Sequence, residues 1–130
     1  MIAIDTNVAV RILIKDDPAQ LARSQQVFET NEVFISDTVI LEAYWILHHR
    51  YGLTNAETYA GLKALISLPT VHLRDAGAIA QVFEWSESGL EFPDAMHLAM
   101  AESVPLVTFD RRFARRAATV SGRSIILLDS

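Results

Sequence analysis

The chain has 130 residues, 51% of them hydrophobic and 21% charged, so it is long enough to bury a core and leaves no room for a large disordered region. Its formal net charge of −5 argues against a protein that coats nucleic acid generally. A nuclease stays possible, because a metal site made of carboxylates itself adds negative charge. Cysteine is absent, which excludes a disulfide framework and any thiolate nucleophile or thiolate metal site.

Short apolar runs alternate with helix-like stretches along the chain. Strands are predicted, in chain order, at Met1–Ile4, Val33–Ile35, Thr70–Leu73, Leu106–Phe109 and Ser124–Leu128. Helices are predicted at Val8–Ile14, Pro18–Thr30, Thr38–Tyr51, residues 54–68, Asp75–Ser88, Pro93–Glu102 and Arg111–Ala118. The first strand is expected to be buried on both faces.

Several helix ends are marked by local residues. Asp17 precedes Pro18 as an N-cap precedes a proline in the first turn, and Gly52 is typical of a C-cap. Thr54 and Glu57 have the spacing of a capping box.

The alternation of strands and helices predicts an α/β fold with three layers, in which helices cover both faces of a mostly parallel sheet. No linker, repeat or low-complexity stretch divides the chain, so residues 1–130 are expected to form a single domain. No apolar run approaches the ~20 residues that span a bilayer. The segment Met1–Asp5 lacks the basic and long apolar parts of a signal peptide. We therefore expect a cytoplasmic protein without membrane contact.

Two aspartates follow directly after predicted strands. Asp5 ends the first strand in "IDTN", and Asp110 ends the strand of "LVTFD". Ligand sites in parallel sheets form beyond the carboxyl ends of strands, which favours a functional role. Aspartate is also a preferred helix N-cap, so either residue could simply begin the helix that follows it.

Glu42 lies in "TVILEAYWIL", which leaves almost no polar helix face. No basic residue stands three or four positions away, and a buried carboxylate without a partner costs several kcal/mol. Glu42 is therefore expected to bind a metal ion or to pair with an arginine from elsewhere in the fold.

Asp94 follows Pro93 in the first turn of a predicted helix. A negative charge there suits the helix macrodipole, so a structural role and a functional role are both open.

Together the four acids form an all-oxygen set of the kind that suits Mg²⁺ or Mn²⁺. Such ions assist phosphodiester hydrolysis by generating hydroxide and stabilising the leaving oxygen. Four arginines directly after Asp110 could bind substrate phosphates, although such a run is commonly a solvated face. They are Arg111, Arg112, Arg115 and Arg116.

Four motifs in this order resemble the PIN domain family, and in particular the VapC-type ribonuclease toxins of prokaryotic toxin–antitoxin pairs. The motifs are "IDTNV", "LEAYWIL", "FPDAMHLAMA" and "LVTFDRRF". The resemblance implies a five-stranded parallel sheet flanked by helices and a Mg²⁺- or Mn²⁺-dependent endoribonuclease. It also implies a homodimer and a small antitoxin partner with a DNA-binding part and a tail that wraps the toxin.

The resemblance assigns the catalytic and metal-binding residues motif by motif, as Asp5, Glu42, Asp94 and Asp110. It places Thr6, Asn7 and Thr108 at positions that support these acids by hydrogen bonding.

Three other interpretations remain. The acids could be caps and ion pairs of a non-catalytic binding domain. A phosphatase of the haloacid dehalogenase type would need an aspartate where Asn7 stands. A PIN nuclease could also act on DNA or in RNA processing rather than as a toxin.

Overall fold

Five short parallel strands occur within residues 1–129, which is the part of the chain that the computed structural model describes. They are β1 (Ile2–Ala3), β2 (Val33–Phe34), β3 (Val71–His72), β4 (Leu106–Thr108) and β5 (Ile125–Leu127). Hydrogen bonds join β1, β2 and β3 in that order into one sheet, and β4 pairs with β5 in a second sheet. The predicted α/β class and parallel pairing are confirmed. The five strands, however, are hydrogen-bonded as sheets of three and two rather than as one sheet.

Helices follow the strands as predicted, with ends that shift by a few residues. They are α1 (Thr6–Leu13), α2 (Pro18–Thr30), α3 (Asp37–Trp45), α4 (Asn55–Ile66), α5 (Ala76–Glu87), α6 (Phe92–Met100) and α7 (Arg111–Ser121). A π-helical turn, Ile46–Arg50, continues α3 towards Gly52. α7 runs beyond the predicted Ala118 and ends at Gly122, whose φ of 68° suits a C-cap glycine. No helix within residues 1–129 is long and apolar enough to cross a membrane.

Residues 1–74 form one of two compact units. Its core contains fully buried side chains from β2, α3 and the π-helical turn, such as Val33, Ile40 and Leu47. The prediction that the first strand is buried on both faces is wrong, since Ile2 is 40% exposed and only Ile4 is buried. The physical reason is that β1 is two residues long and has one hydrogen-bonded neighbour, β2, in its sheet.

The predicted helix starts in this unit are confirmed by their hydrogen bonds. Asp17 accepts from the backbone N–H of Gln20 at 3.1 Å, with Pro18 in the first turn. Thr54 and Glu57 form both halves of the capping box, at 3.1 Å and 2.9 Å. These contacts satisfy N–H groups that the first turn of a helix leaves without partners.

The second unit begins at Asp75. α5 packs against α6, with the Phe83 and Phe92 rings edge to face at 5.4 Å between centroids. β4 runs directly into α7 through Phe109 and Asp110. Phe113 and Ala117 form part of the buried face of α7, which fixes the sides on which its arginines lie.

Candidate active site

Asp110 stands between β4 and α7 and caps the helix. Its Oδ1 accepts a hydrogen bond from the backbone N–H of Phe113 at 3.0 Å. Its own backbone N–H donates to Oγ1 of Thr108, also at 3.0 Å. These two bonds fix the carboxylate at the carboxyl end of β4 and leave Oδ2 without a hydrogen bond to any of residues 1–129.

Asp5 repeats this arrangement in the first unit. It follows β1 and caps α1, and its Oδ1 accepts from the backbone N–H of Val8 at 3.2 Å. The capping interpretation of Asp5 and Asp110 is therefore correct as local structure. Each cap uses one carboxylate oxygen, so capping does not prevent the second oxygen from binding a ligand.

Asp94 lies in the first turn of α6, is half-buried and caps nothing. Its carboxylate makes no hydrogen bond or ion pair with any other of residues 1–129. Partial burial raises the pKa of Asp94, and the nearby carboxylates of Glu91 and Asp110 raise it further, against an opposing effect of His97. The fold thus holds a carboxylate whose charge its own surroundings disfavour.

Asp94 and Asp110 line the same cleft, which we call the Asp94–Asp110 cleft. It measures about 160 Å³, and Glu91 and Phe113 also contribute to it. An adjoining hollow of about 280 Å³ shares both aspartates and adds His97 and Thr108. Two of the four predicted acids are therefore brought together.

The arginines of α7 divide into two pairs. Arg112 and Arg116, one helical turn apart, line the Asp94–Asp110 cleft, whereas Arg111 and Arg115 do not. Arg116 is held in place, because its Nη1 donates to the carbonyl oxygen of Gly89 at 2.7 Å. Arg111 lies 3.8 Å from the exposed carboxylate of Asp129. Only half of the predicted phosphate-binding set thus faces these acids.

The burial of Glu42 differs from the sequence prediction. The sequence predicts a carboxylate without a polar face, but Glu42 is exposed on α3. The buried face of α3 carries Ile40, Ala43 and Tyr44 instead, and Trp45, half-exposed, shares the outer side with Glu42. The prediction of a buried Glu42 is wrong because apolar residues on this helix also occupy its exposed side. Exposure leaves the carboxylate accessible to a ligand.

The three predicted supporting residues are placed differently from one another. Thr108 makes the hydrogen bond that orients the backbone of Asp110. Thr6 is buried in the first turn of α1, and Asn7 is exposed beside Asp5. Neither Thr6 nor Asn7 donates a side-chain hydrogen bond to an acid within residues 1–129.

Glu91 is a site residue that the sequence reasoning missed. It lies three residues before Asp94, on the same cleft, and its charge raises the pKa of Asp94. Because residues three apart are neighbours at the start of a helix, the spacing in "EFPD" could have identified it.

The donor atoms of the Asp94–Asp110 cleft fit a hard divalent cation. No group of three or more histidine or acidic side chains that could hold a metal ion occurs within residues 1–129. Mg²⁺ is commonly bound by one or two carboxylates together with water and substrate phosphate oxygens. The two aspartates of the cleft, one of them without a partner, provide that chemistry.

The raised pKa of Asp94 predicts a pH-dependent effect on stability. The folded protein binds the Asp94 proton more tightly than the unfolded chain does. Stability therefore falls as the pH rises from below the ordinary aspartate pKa through the raised pKa. We expect Asp94→Asn to be more stable than the wild type at pH 7, and the difference to vanish near about pH 3. Urea unfolding at both pH values measures it, and an equal difference at both would contradict a charge effect.

Comparison with known proteins identifies the family. The profile of the PIN domain matches residues 2–118, which include all four predicted acids. No match was found among curated proteins. PIN domains are generally nucleases and typically use divalent metal ions. Because the match covers most of the sequence, the chain belongs to the PIN domain family.

Proposed function

We propose that the protein is an endoribonuclease that hydrolyses RNA phosphodiester bonds with Mg²⁺ or Mn²⁺, and that it is the toxin of a toxin–antitoxin pair. One observation carries the catalytic part. Asp94, half-buried and without a partner within residues 1–129, shares a cleft with Asp110 and with Arg112. Acids with perturbed pKa values in clefts are typical of functional sites, and the arginine supplies a phosphate-binding group beside Asp94.

A divalent cation would relieve the repulsion in this cleft. Asp94 and Asp110 would hold it, and Asp5 and Glu42 are proposed as further carboxylates of the set because their motifs resemble those of the family. A bound ion supplies hydroxide at neutral pH and stabilises the leaving oxygen. The hydrogen bonds of Asp110 to Phe113 and Thr108 keep its free oxygen in a fixed position during this chemistry.

The arginines of the cleft would bind the phosphates of the substrate. Arg112 is exposed, makes no ion pair within residues 1–129, and can bind a phosphate through its planar fork of N–H donors. Arg116 uses Nη1 on Gly89, which holds the guanidinium beside the cleft and leaves its other N–H groups for a phosphate.

A toxin would also have protein partners that bind it and control its activity. We propose a cytoplasmic homodimer inhibited by a small antitoxin, whose tail crosses the exposed helical surface near Trp45. An arginine or lysine of that tail would bind the acidic residues in place of metal and phosphate, since arginine binds carboxylates with two parallel hydrogen bonds. High Mg²⁺ should then weaken inhibition more than NaCl of matched ionic strength does.

The first test concerns catalysis. Loss of a residue that only supports a metal ligand typically lowers activity by roughly 10–100-fold. We expect Asp94→Asn and Asp110→Asn each to reduce RNA cleavage by more than this, because each removes a proposed ligand itself. Asparagine keeps the cap of α7, because it is as good an N-cap as aspartate. Asp129→Asn, a change at a side chain that is 95% exposed, is the matched control and should cleave normally. Undiminished cleavage by Asp94→Asn, purified free of other nucleases, would show that this cleft is not the active site.

The second test concerns the two arginine pairs. Arg112→Gln should weaken binding of single-stranded RNA and lower the slope of log K against log salt concentration by about 0.7, the effect of one lost phosphate contact. Arg115→Gln removes the same charge from the same helix outside the cleft, and we expect it to leave the slope unchanged. Equal slopes in the two variants would place the phosphate contact elsewhere.

The third test concerns the role as a toxin. Expression of the wild-type chain alone should arrest bacterial growth, and Asp5→Asn should relieve the arrest because it removes a proposed metal-binding charge. Colony counts after induction, at matched protein levels, give the result. A wild-type protein that cleaves RNA in vitro but leaves growth unaffected at high expression would favour RNA processing over a toxin.

A further inference from the structure

A second cleft lies between α1 and α2, within the unit of residues 1–74. Its volume is about 350 Å³, and Asp5 lines it at the start of α1. Arg11 reaches it from α1, and Gln20, Arg23 and Ser24 reach it from α2. The cleft thus combines a proposed metal-binding acid with two arginines that neither the family resemblance nor the proposed function uses.

Arg11 is held rigidly at this cleft. Its Nη1 donates to Asp16 at 2.7 Å and to the Tyr51 hydroxyl at 3.3 Å. Its Nε and Nη2 make no hydrogen bond within residues 1–129, so donors on a fixed guanidinium remain available. A group positioned in advance loses little conformational entropy when it binds a ligand.

Arg23, unlike Arg11, has no partner among residues 1–129 and is available to bind a ligand with all of its N–H groups. It is exposed on α2, one turn beyond Gln20, and has no hydrogen bond or ion pair with the other described residues. Arg11 is already paired with Asp16 at 2.7 Å, so the unpaired charges of the cleft among the described residues are one positive, on Arg23, and one negative, on Asp5. This balance suits a ligand with an anionic group that also contacts a cation held by Asp5.

Ser24 adds an independent observation. It is only 6% exposed, lines the cleft, and its hydroxyl forms no hydrogen bond within residues 1–129. The oxygen itself is not fully buried, so it is open to the cleft and free to donate there. A ligand atom in the cleft would satisfy this hydroxyl.

We propose that the α1–α2 cleft binds a backbone phosphate of the RNA substrate, with Arg11 and Arg23 as the charged donors and Ser24 as a neutral one. This inference rests on the proposed function, since it places the phosphate next to Asp5. RNA is favoured over an acidic peptide because the cleft contains a carboxylate that a phosphate can approach through a shared divalent cation, as in nuclease sites. The protein as a whole is negative, so an anionic substrate depends on local cations, and Arg23, which pairs with no described residue, is one at this cleft.

The test compares Arg23→Gln with Arg50→Gln in the full chain. Arg50 is also exposed in the unit of residues 1–74, has no partner within the described residues and does not line the cleft, so the two changes alter charge equally. Binding of a fluorescent single-stranded RNA is measured by anisotropy with Mg²⁺ at several salt concentrations, with Asp94→Asn present in every protein so that cleavage is suppressed. We expect Arg23→Gln to weaken binding and to lower the salt slope by about 0.7, and Arg50→Gln to match the protein with Asp94→Asn alone.

Ser24→Ala provides a second, uncharged variant. It should weaken RNA binding several-fold without changing the salt slope, because it removes a donor and no charge. A change in slope equal to that of Arg23→Gln would indicate a general loss of structure, which circular dichroism of the same samples checks.

The outcomes separate this inference from the proposed function. If Arg23→Gln and Arg50→Gln bind RNA equally, or the protein with Asp94→Asn alone binds no RNA, the cleft inference is overturned. Stronger binding of that protein to polyglutamate than to RNA, lost in Arg23→Gln, would also overturn it and indicate an acidic protein partner. The proposed function is judged separately by cleavage with Mg²⁺ or Mn²⁺, which can fail while RNA binding through Arg23 persists.

Discussion

The hydrogen bond from the backbone N–H of Phe113 to Oδ1 of Asp110 links the folding of the second unit to its candidate chemistry. It begins α7 directly after β4, and it fixes where the Asp110 carboxylate lies. The same bond, from Val8 to Asp5, begins α1 after β1. Helix capping and metal binding are therefore not competing explanations of these acids. One oxygen stabilises the fold, and the other remains available at the carboxyl end of a strand, where sites in α/β folds form.

Capping alone does not mark a functional residue, because Asp17 and Asp75 cap α2 and α5 in the same manner. Asp94 is distinguished by what it lacks. It is half-buried and has no hydrogen bond within residues 1–129. Its pKa is raised by burial, and the charges of Glu91 and Asp110 raise it further. A carboxylate in such a position weakens the fold unless something neutralises it, so a cation bound there would stabilise the protein.

Local interactions account for the part of the fold that the sequence predicted well. Helix starts at Asp17, Thr54 and Asp75 depend on side chains that bond three residues ahead, and such contacts can be recognised from spacing. The exposure of β1 and Glu42 could not be recognised, because it depends on which elements pack against them. On α3 the apolar character extends around the helix, with Trp45 50% exposed, so composition did not reveal the buried face.

The arginines of α7 also show that sequence spacing alone does not predict which side chains line the site. Helical spacing alone pairs Arg112 with Arg116 and Arg111 with Arg115. Only the packing of α7 through Phe113 and Ala117 determines which pair faces the acids. This distinction matters more for a polyanionic substrate than the net charge of −5 does. At physiological ionic strength, charges are screened over about 8 Å, so a phosphate responds to the few groups that line its cleft. An acidic protein can therefore bind a polyanion, provided that its arginines line the cleft that receives it.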